Sequence, residues 1–101
     1  MEVAYSKRGI PIRLSPERWA HIVEHHDDLA SYRDDLLETI EVPDAIVRGK
    51  TGELLAMKAI EDRTLVAVYR EMSRTGGFVI TAFFTTQPER IRKRGLVWQK
   101  R

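Results

Sequence analysis

A change of period at Pro43 sets what this chain can fold into. Before it, apolar residues recur at helical spacing; after it, they alternate. Ser15-Pro16-Glu17 opens a helix, because the serine hydroxyl can cap free N–H groups, proline suits the first helical position, and an acid suits the positive end. Trp19, Ile22, Val23 and His26 then fall at i, i+3, i+4 and i+7, one core-facing stripe. A second helix is predicted from about Ser31 to Glu41, with Tyr32, Leu36, Leu37 and Ile40 on one side, and Pro43 stops it.

Beyond Pro43 the pattern predicts four strands. Ala45–Arg48 leads through a Lys50-Thr51-Gly52 turn to Glu53–Ile60; Glu61-Asp62-Arg63 turns into Thr64–Glu71; a Gly76-Gly77 loop leads to Phe78–Thr85. The expectation is an α+β fold, with two N-terminal helices packed on one face of a four-stranded antiparallel sheet. Pairing Ile60 with Thr64 and Glu71 with Phe78 gives one uncharged face of Leu55, Met57, Ala59, Leu65, Ala67, Tyr69, Phe78, Ile80, Ala82 and Phe84, suited to lie under the helices. The opposite face then gathers Lys58, Arg70, Thr81, Phe83 and Thr85: two cations, two hydroxyls and an aromatic platform. Such a face suits a nucleotide held without a deep pocket, and equally an ordinary solvated sheet.

The 101 residues are expected to form a single domain, 1–101, with a basic C-terminal tail from about residue 88. That tail carries Arg90, Arg92, Lys93, Arg94, Lys100 and Arg101 against Glu89 alone, whereas eight acids and one arginine lie between Glu24 and Asp44. The basic end suits phosphates, with Arg92 and Arg94 as contacts, or serves solubility. Absence of cysteine excludes a disulfide scaffold, an iron–sulfur cluster and a thiolate nucleophile. No apolar run approaches the ~18 residues of a membrane helix, and the first residues, Met1-Glu2-Val3-Ala4-Tyr5-Ser6-Lys7-Arg8, lack a signal-peptide core. A cytoplasmic protein without membrane attachment is expected.

His21, His25 and His26 cluster within six residues. His21-Ile22-Val23-Glu24-His25 matches a zinc pattern, but that motif needs a third distal ligand and a larger enclosing fold. No metal or cofactor is therefore expected. His26 falls on the apolar stripe and His25 at its border, while His21 projects away and is free to meet substrate or solvent.

Arg18-Trp19-Ala20-His21-Ile22 with His25-His26, then Pro43-Asp44-Ala45-Ile46, then Phe78-Val79-Ile80-Thr81-Ala82-Phe83 together resemble the small phage- and mobile-element-associated nucleases of the Barnase–EndoU–colicin–RelE-like superfamily. The resemblance covers roughly residues 10 to 86. It implies metal-independent cleavage of RNA, tRNA or mRNA, in toxin–antitoxin or phage-conflict settings, with an antitoxin or immunity protein as partner. Family members place a histidine in the N-terminal helix, a basic residue on a middle strand and a serine or threonine on the last; here those are His21, Lys58 and Thr81. Arg48, Arg70, His26 and Thr85 support them, with His25 beside.

The implied chemistry is attack of a ribose 2′-hydroxyl on the adjacent phosphorus, leaving a 2′,3′-cyclic phosphate. His21 takes the proton, Lys58 with Arg70 or Arg48 offsets phosphoryl charge, and Thr81 positions the phosphate. Two other readings stay open. One is a non-catalytic RNA- or DNA-binding module using the basic tail and Phe83. The other is an inactive protein-interaction relative, including a homodimer formed through a free sheet edge.

Overall fold

A computed structural model describes all 101 residues. The chain begins with a hairpin, β1 (Glu2–Tyr5) and β2 (Pro11–Leu14), closed by a turn in which Ser6 and Ile10 bond and Gly9 takes a φ of 78°. Leu14 runs directly into the cap of α1 (Pro16–His25), where Ser15 Oγ accepts from Arg18 N–H at 3.1 Å. One turn of 3₁₀ helix, Asp27–Leu29, leads to α2 (Arg33–Glu41), whose first turn carries Asp34 and Asp35 at its positive end. Four strands follow: β3 (Ala45–Arg48), β4 (Leu54–Ile60), β5 (Arg63–Ser73) and β6 (Gly76–Thr85). The chain then forms α3 (Pro88–Arg92) and β7 (Leu96–Gln99). No helix is long and apolar enough to cross a membrane.

The α+β class and the meander stand, but the sheet has seven strands rather than four, in the order β1-β2-β6-β5-β4-β3-β7. It is mixed: β2 runs parallel to β6, pairing Ile12 with Gly77 and Arg13 with Phe78. The additional strands are four residues each and sit among charges and glycines, so their alternation is too brief to stand out. The basic C-terminal segment is likewise no free tail. It is folded as α3 and as β7, which pairs antiparallel with β3.

Register corrects the expected faces. The β4–β5 turn has two residues, Glu61 and Asp62, with Glu61 at a φ of 56°, so Ile60 opposes Arg63 and not Thr64. That one-residue slip turns all of β4 over. Leu54, Ala56, Lys58 and Ile60 share a face with Leu65, Ala67 and Tyr69, while Leu55 and Met57 lie with Val66 and Val68 on the other. A bulge between Val68 and Tyr69 shifts β6 in the same way, pairing Tyr69 with Val79 and sending Phe78 and Ile80 to the second face. Ala59, expected under the helices, is exposed.

Two cores result. On the first face Ile22 of α1, Leu29, and Leu36 and Ile40 of α2 pack with Ile12, Leu14, Ala56, Leu65, Ala67, Tyr69, Val79 and Ala82. On the second, Val47, Leu55, Met57, Val66 and Val68 are roofed by Ile91 of α3. The second face is therefore covered over β3–β5 and left open along β6. The sheet also curls: β1 and β7 are its opposite edges, yet Lys7 Nζ, just beyond β1, lies 4.7 Å from the Trp98 ring of β7.

Candidate nucleic-acid interface and active site

The open part of the second face is a strip along β6, a strand without charged residues. At one end the pairings align Arg13 of β2, Phe78 of β6 and Arg70 of β5 in one cross-strand row. Phe78 is 37% exposed, a high value for a phenyl ring on a sheet, and an arginine occupies the paired position on the strand to either side. Arg70 is held by the β3–β4 turn, donating to the Thr51 carbonyl at 3.0 Å and to Thr51 Oγ1 at 3.4 Å. Glu53 tightens the same turn by accepting from Thr51 N–H and Oγ1 at 2.9 and 2.7 Å; these bonds, with Arg70 nearby, hold its carboxyl below the ordinary value.

Farther along the strip Thr81 opposes Val68, Phe83 opposes Val66 and Thr85 opposes Thr64, all three half-buried. Thr85 Oγ1 accepts from Gln87 N–H at 3.1 Å and so starts the turn into α3. By strand rise the two phenyl rings are roughly 15 Å apart, a spacing that lets Thr81 sit between two aromatic platforms.

The end of α1 meets this strip. His26, its C-cap, carries its imidazole 6.4 Å from the Phe83 ring. His21 and His25 are exposed, with ring centroids 4.4 Å apart and the rings tilted by 45°. His25 Nδ1 lies 3.0 Å from the His21 carbonyl oxygen. A carbonyl can only accept, so Nδ1 carries the proton and the neutral ring keeps its Nε2 lone pair free. No third ligating side chain joins His21 and His25 to make a metal cluster.

Lys58 does not belong to this group. It lies on the helix side of β4, where Nζ donates to the Val42 carbonyl at 3.1 Å and ties down the link between α2 and β3. The proposed grouping of Lys58 with Arg70 and Thr81 on one face is therefore corrected by register. Arg48 also points to the helix side, at the opposite end of the sheet. Arg92 is half-buried in α3 above the second face, and Arg94 is exposed beyond it. The acids of the α1–α2 region are partly absorbed: Asp28 pairs with Arg63 at 3.7 Å, whose guanidinium lies 3.8 Å from the Phe84 ring.

Sequence reasoning missed Arg13 and assigned Phe78 to the wrong face. The alternation Ile12-Arg13-Leu14 directly before the Ser15 cap was the available signal for Arg13. For Phe78 there was none, because a bulge leaves no mark in hydropathy.

No curated protein and no solved structure matches the chain at a meaningful level. A family model does match, over residues 2–99, and its description is phage-Barnase-EndoU-ColicinE5/D-RelE like nuclease2. With nearly the whole length covered, edge strands and C-terminal segment included, the chain belongs to this family of phage-associated nucleases.

Proposed function

We propose that this protein is a ribonuclease that cleaves by internal transesterification on the β6 strip. The observation that carries the reading is the His26 imidazole set against Phe83 on an open, uncharged strand flanked by arginines. Histidine is the side chain suited to carry a proton at neutral pH, and RNA supplies its own nucleophile, the 2′-hydroxyl. An imidazole at the end of α1 takes the 2′-hydroxyl proton. His26 is nearest the strip, His25 has its Nε2 prepared by the bond at Nδ1, and His21 completes the cluster.

As the 2′-oxygen bonds to phosphorus, the 5′-oxygen leaves and accepts a proton, giving a 2′,3′-cyclic phosphate and a 5′-hydroxyl. Thr81 hydrogen-bonds the phosphate, Arg70 and Arg13 stabilise its charge, and Phe78 and Phe83 stack the flanking bases. Arg92 and Arg94 extend the positive rim. A toxin or phage-conflict role, restrained by an antitoxin or immunity protein, belongs to the same reading, as does RNA, tRNA or mRNA, as the substrate.

The test incubates purified protein with mixed tRNA and short oligoribonucleotides in EDTA, beside His21→Ala, His25→Ala and His26→Ala. Cyclic-phosphate ends formed by the parent and reduced about 10²-fold or more by one histidine change are expected. Intact RNA, or equal cutting by all four proteins, overturns the mechanism. A salt-sensitive gel shift without cleavage would instead assign a binding module.

A further inference from the structure

A cavity of about 390 Å³ opens on the helix side of the sheet, at the end that α2 leaves bare. Ile46, Leu54 and Tyr69 line it from the sheet, Lys7 and Arg8 from the β1–β2 turn, Arg48 and Glu71 from β3 and β5, and Trp98 from β7. It shares no residue with the β6 strip and lies on the other face.

Its charges do not balance. Glu71 is the one carboxylate, and it is engaged: Ser6 Oγ donates to it at 2.7 Å and Arg8 pairs with it at 3.5 Å. Lys7 and Arg48 have no carboxylate within 4.0 Å, so two uncompensated cations face one concavity. Tyr69 adds a second observation. The residue is 1% exposed, and its hydroxyl makes no hydrogen bond within the protein. Every fully sealed side-chain polar atom in the molecule has a partner, so this hydroxyl reaches the cavity it lines. Burial pushes its phenol well above the ordinary value, which keeps it a donor. Trp98 supplies an apolar wall, with the Lys7 ammonium over its ring.

We propose that this cavity binds a nucleoside monophosphate, with the base against Leu54 and Ile46 at the edge of Trp98 and the phosphate between Lys7 and Arg48. Inorganic phosphate alone would leave the apolar wall unused, and an uncharged aromatic would leave the cations unpaired. The Tyr69 hydroxyl donates to the ligand from the floor. Free nucleotide and the 5′-phosphorylated end of an RNA chain share this chemistry.

The experiment titrates the ¹⁵N-labelled full chain with 5′-AMP, adenosine and inorganic phosphate, following the Trp98 indole N–H, with Trp19 as internal control. Saturable movement of Trp98 by 5′-AMP is expected, weaker by about tenfold or more for adenosine, for phosphate, and in Lys7→Ala or Arg48→Ala. Both variants alter exposed side chains, and unchanged spectra elsewhere verify their fold. A 5′-phosphorylated dinucleotide that binds as well as 5′-AMP supports chain ends as the ligand, and one that is excluded supports the free nucleotide. An unmoved Trp98 at millimolar 5′-AMP, or equal affinity in the variants, overturns the site. His26→Ala keeps full 5′-AMP affinity; its loss would overturn the separation from the β6 strip, independently of whether RNA is cut.

Discussion

Lys58 and Arg70, twelve residues apart on adjacent strands, occupy opposite faces of the sheet. Lys58 is spent on the Val42 carbonyl, and Arg70 stands opposite Phe78 in the register with its guanidinium held by Thr51. Their substitutions therefore separate. Lys58→Ala is expected to cost about 1 kcal/mol of stability while leaving cleavage by the folded protein unchanged. Arg70→Ala gives up its bonds to Thr51 and is expected to cost a similar amount of stability, but it alone weakens RNA binding. Urea denaturation checks the shared cost, and gel-shift titration distinguishes the two.

The row of Arg13, Phe78 and Arg70 makes a second prediction through counterion release. Each arginine that neutralises one phosphate contributes about 0.7 to the slope of log K against log salt on single strands. Arg13→Ala and Arg70→Ala should each flatten the slope by about that amount, and the double variant by about twice it. Phe78→Ala should weaken binding at all salt concentrations without changing the slope. Filter binding across a salt series reads all three.

Ile91 closes the second core from the C-terminal segment. Truncating it removes the roof over Val47, Leu55, Met57, Val66 and Val68, so Ile91→Ala should cost about 2–4 kcal/mol. Chemical denaturation measures it, and added binding of a hydrophobic dye identifies the exposed face.

Gly77 sits where β6 passes the Arg70 carbonyl, and a Cβ there would overlap that backbone oxygen and crowd Ile12. Neither neighbour is a flexible side-chain end facing solvent, so the strand must move. Gly77→Ala is expected to destabilise by about 2 kcal/mol or more and to disturb Phe78 next to it, which thermal unfolding and RNA affinity report together.

Asp44 gives a pH dependence. Partial burial opposes its ionisation, but the bond from Ala59 N–H at 2.7 Å, the Lys100 ammonium at 3.3 Å and nearby Lys58 outweigh it and hold the carboxyl below its ordinary 3.8. The folded state thus binds this proton less readily than the unfolded chain. Its contribution is fully present above the ordinary value and is lost as pH falls through the lower folded one. Asp44→Asn should reduce stability at neutral pH and flatten the acid limb of the curve below about pH 4. Denaturation from pH 7 downward checks it.

The two helices and the central meander were legible in the sequence because each rests on a local, repeated signal. The Ser15 cap, the Trp19–His26 stripe and the Pro43 stop are all short-range. Faces were legible only as far as turns were counted correctly. Glu61 adopting a positive φ shortened one turn by a residue and moved Lys58 away from Thr81 and Arg70. The strip residues Thr81, Phe83 and Thr85 were identifiable from alternation within β6 alone; Arg13 reaches them through a parallel pairing that skips most of the chain. A cavity walled by both ends of the chain leaves no local pattern at all.

The roofing of the second core by Ile91 bears on how such an enzyme is made. A ribosome that has synthesised through Thr85 has produced every histidine, Thr81 and both phenyl platforms. Yet that unfinished chain holds a bare sheet of valine, leucine and methionine, with β3 as an unpaired edge. The sixteen residues that follow Thr85 cover that sheet with Ile91 and pair β3 with β7. A chain stopped at Thr85 should therefore aggregate through that bare face and edge rather than accumulate as a folded protein lacking only its C-terminal segment.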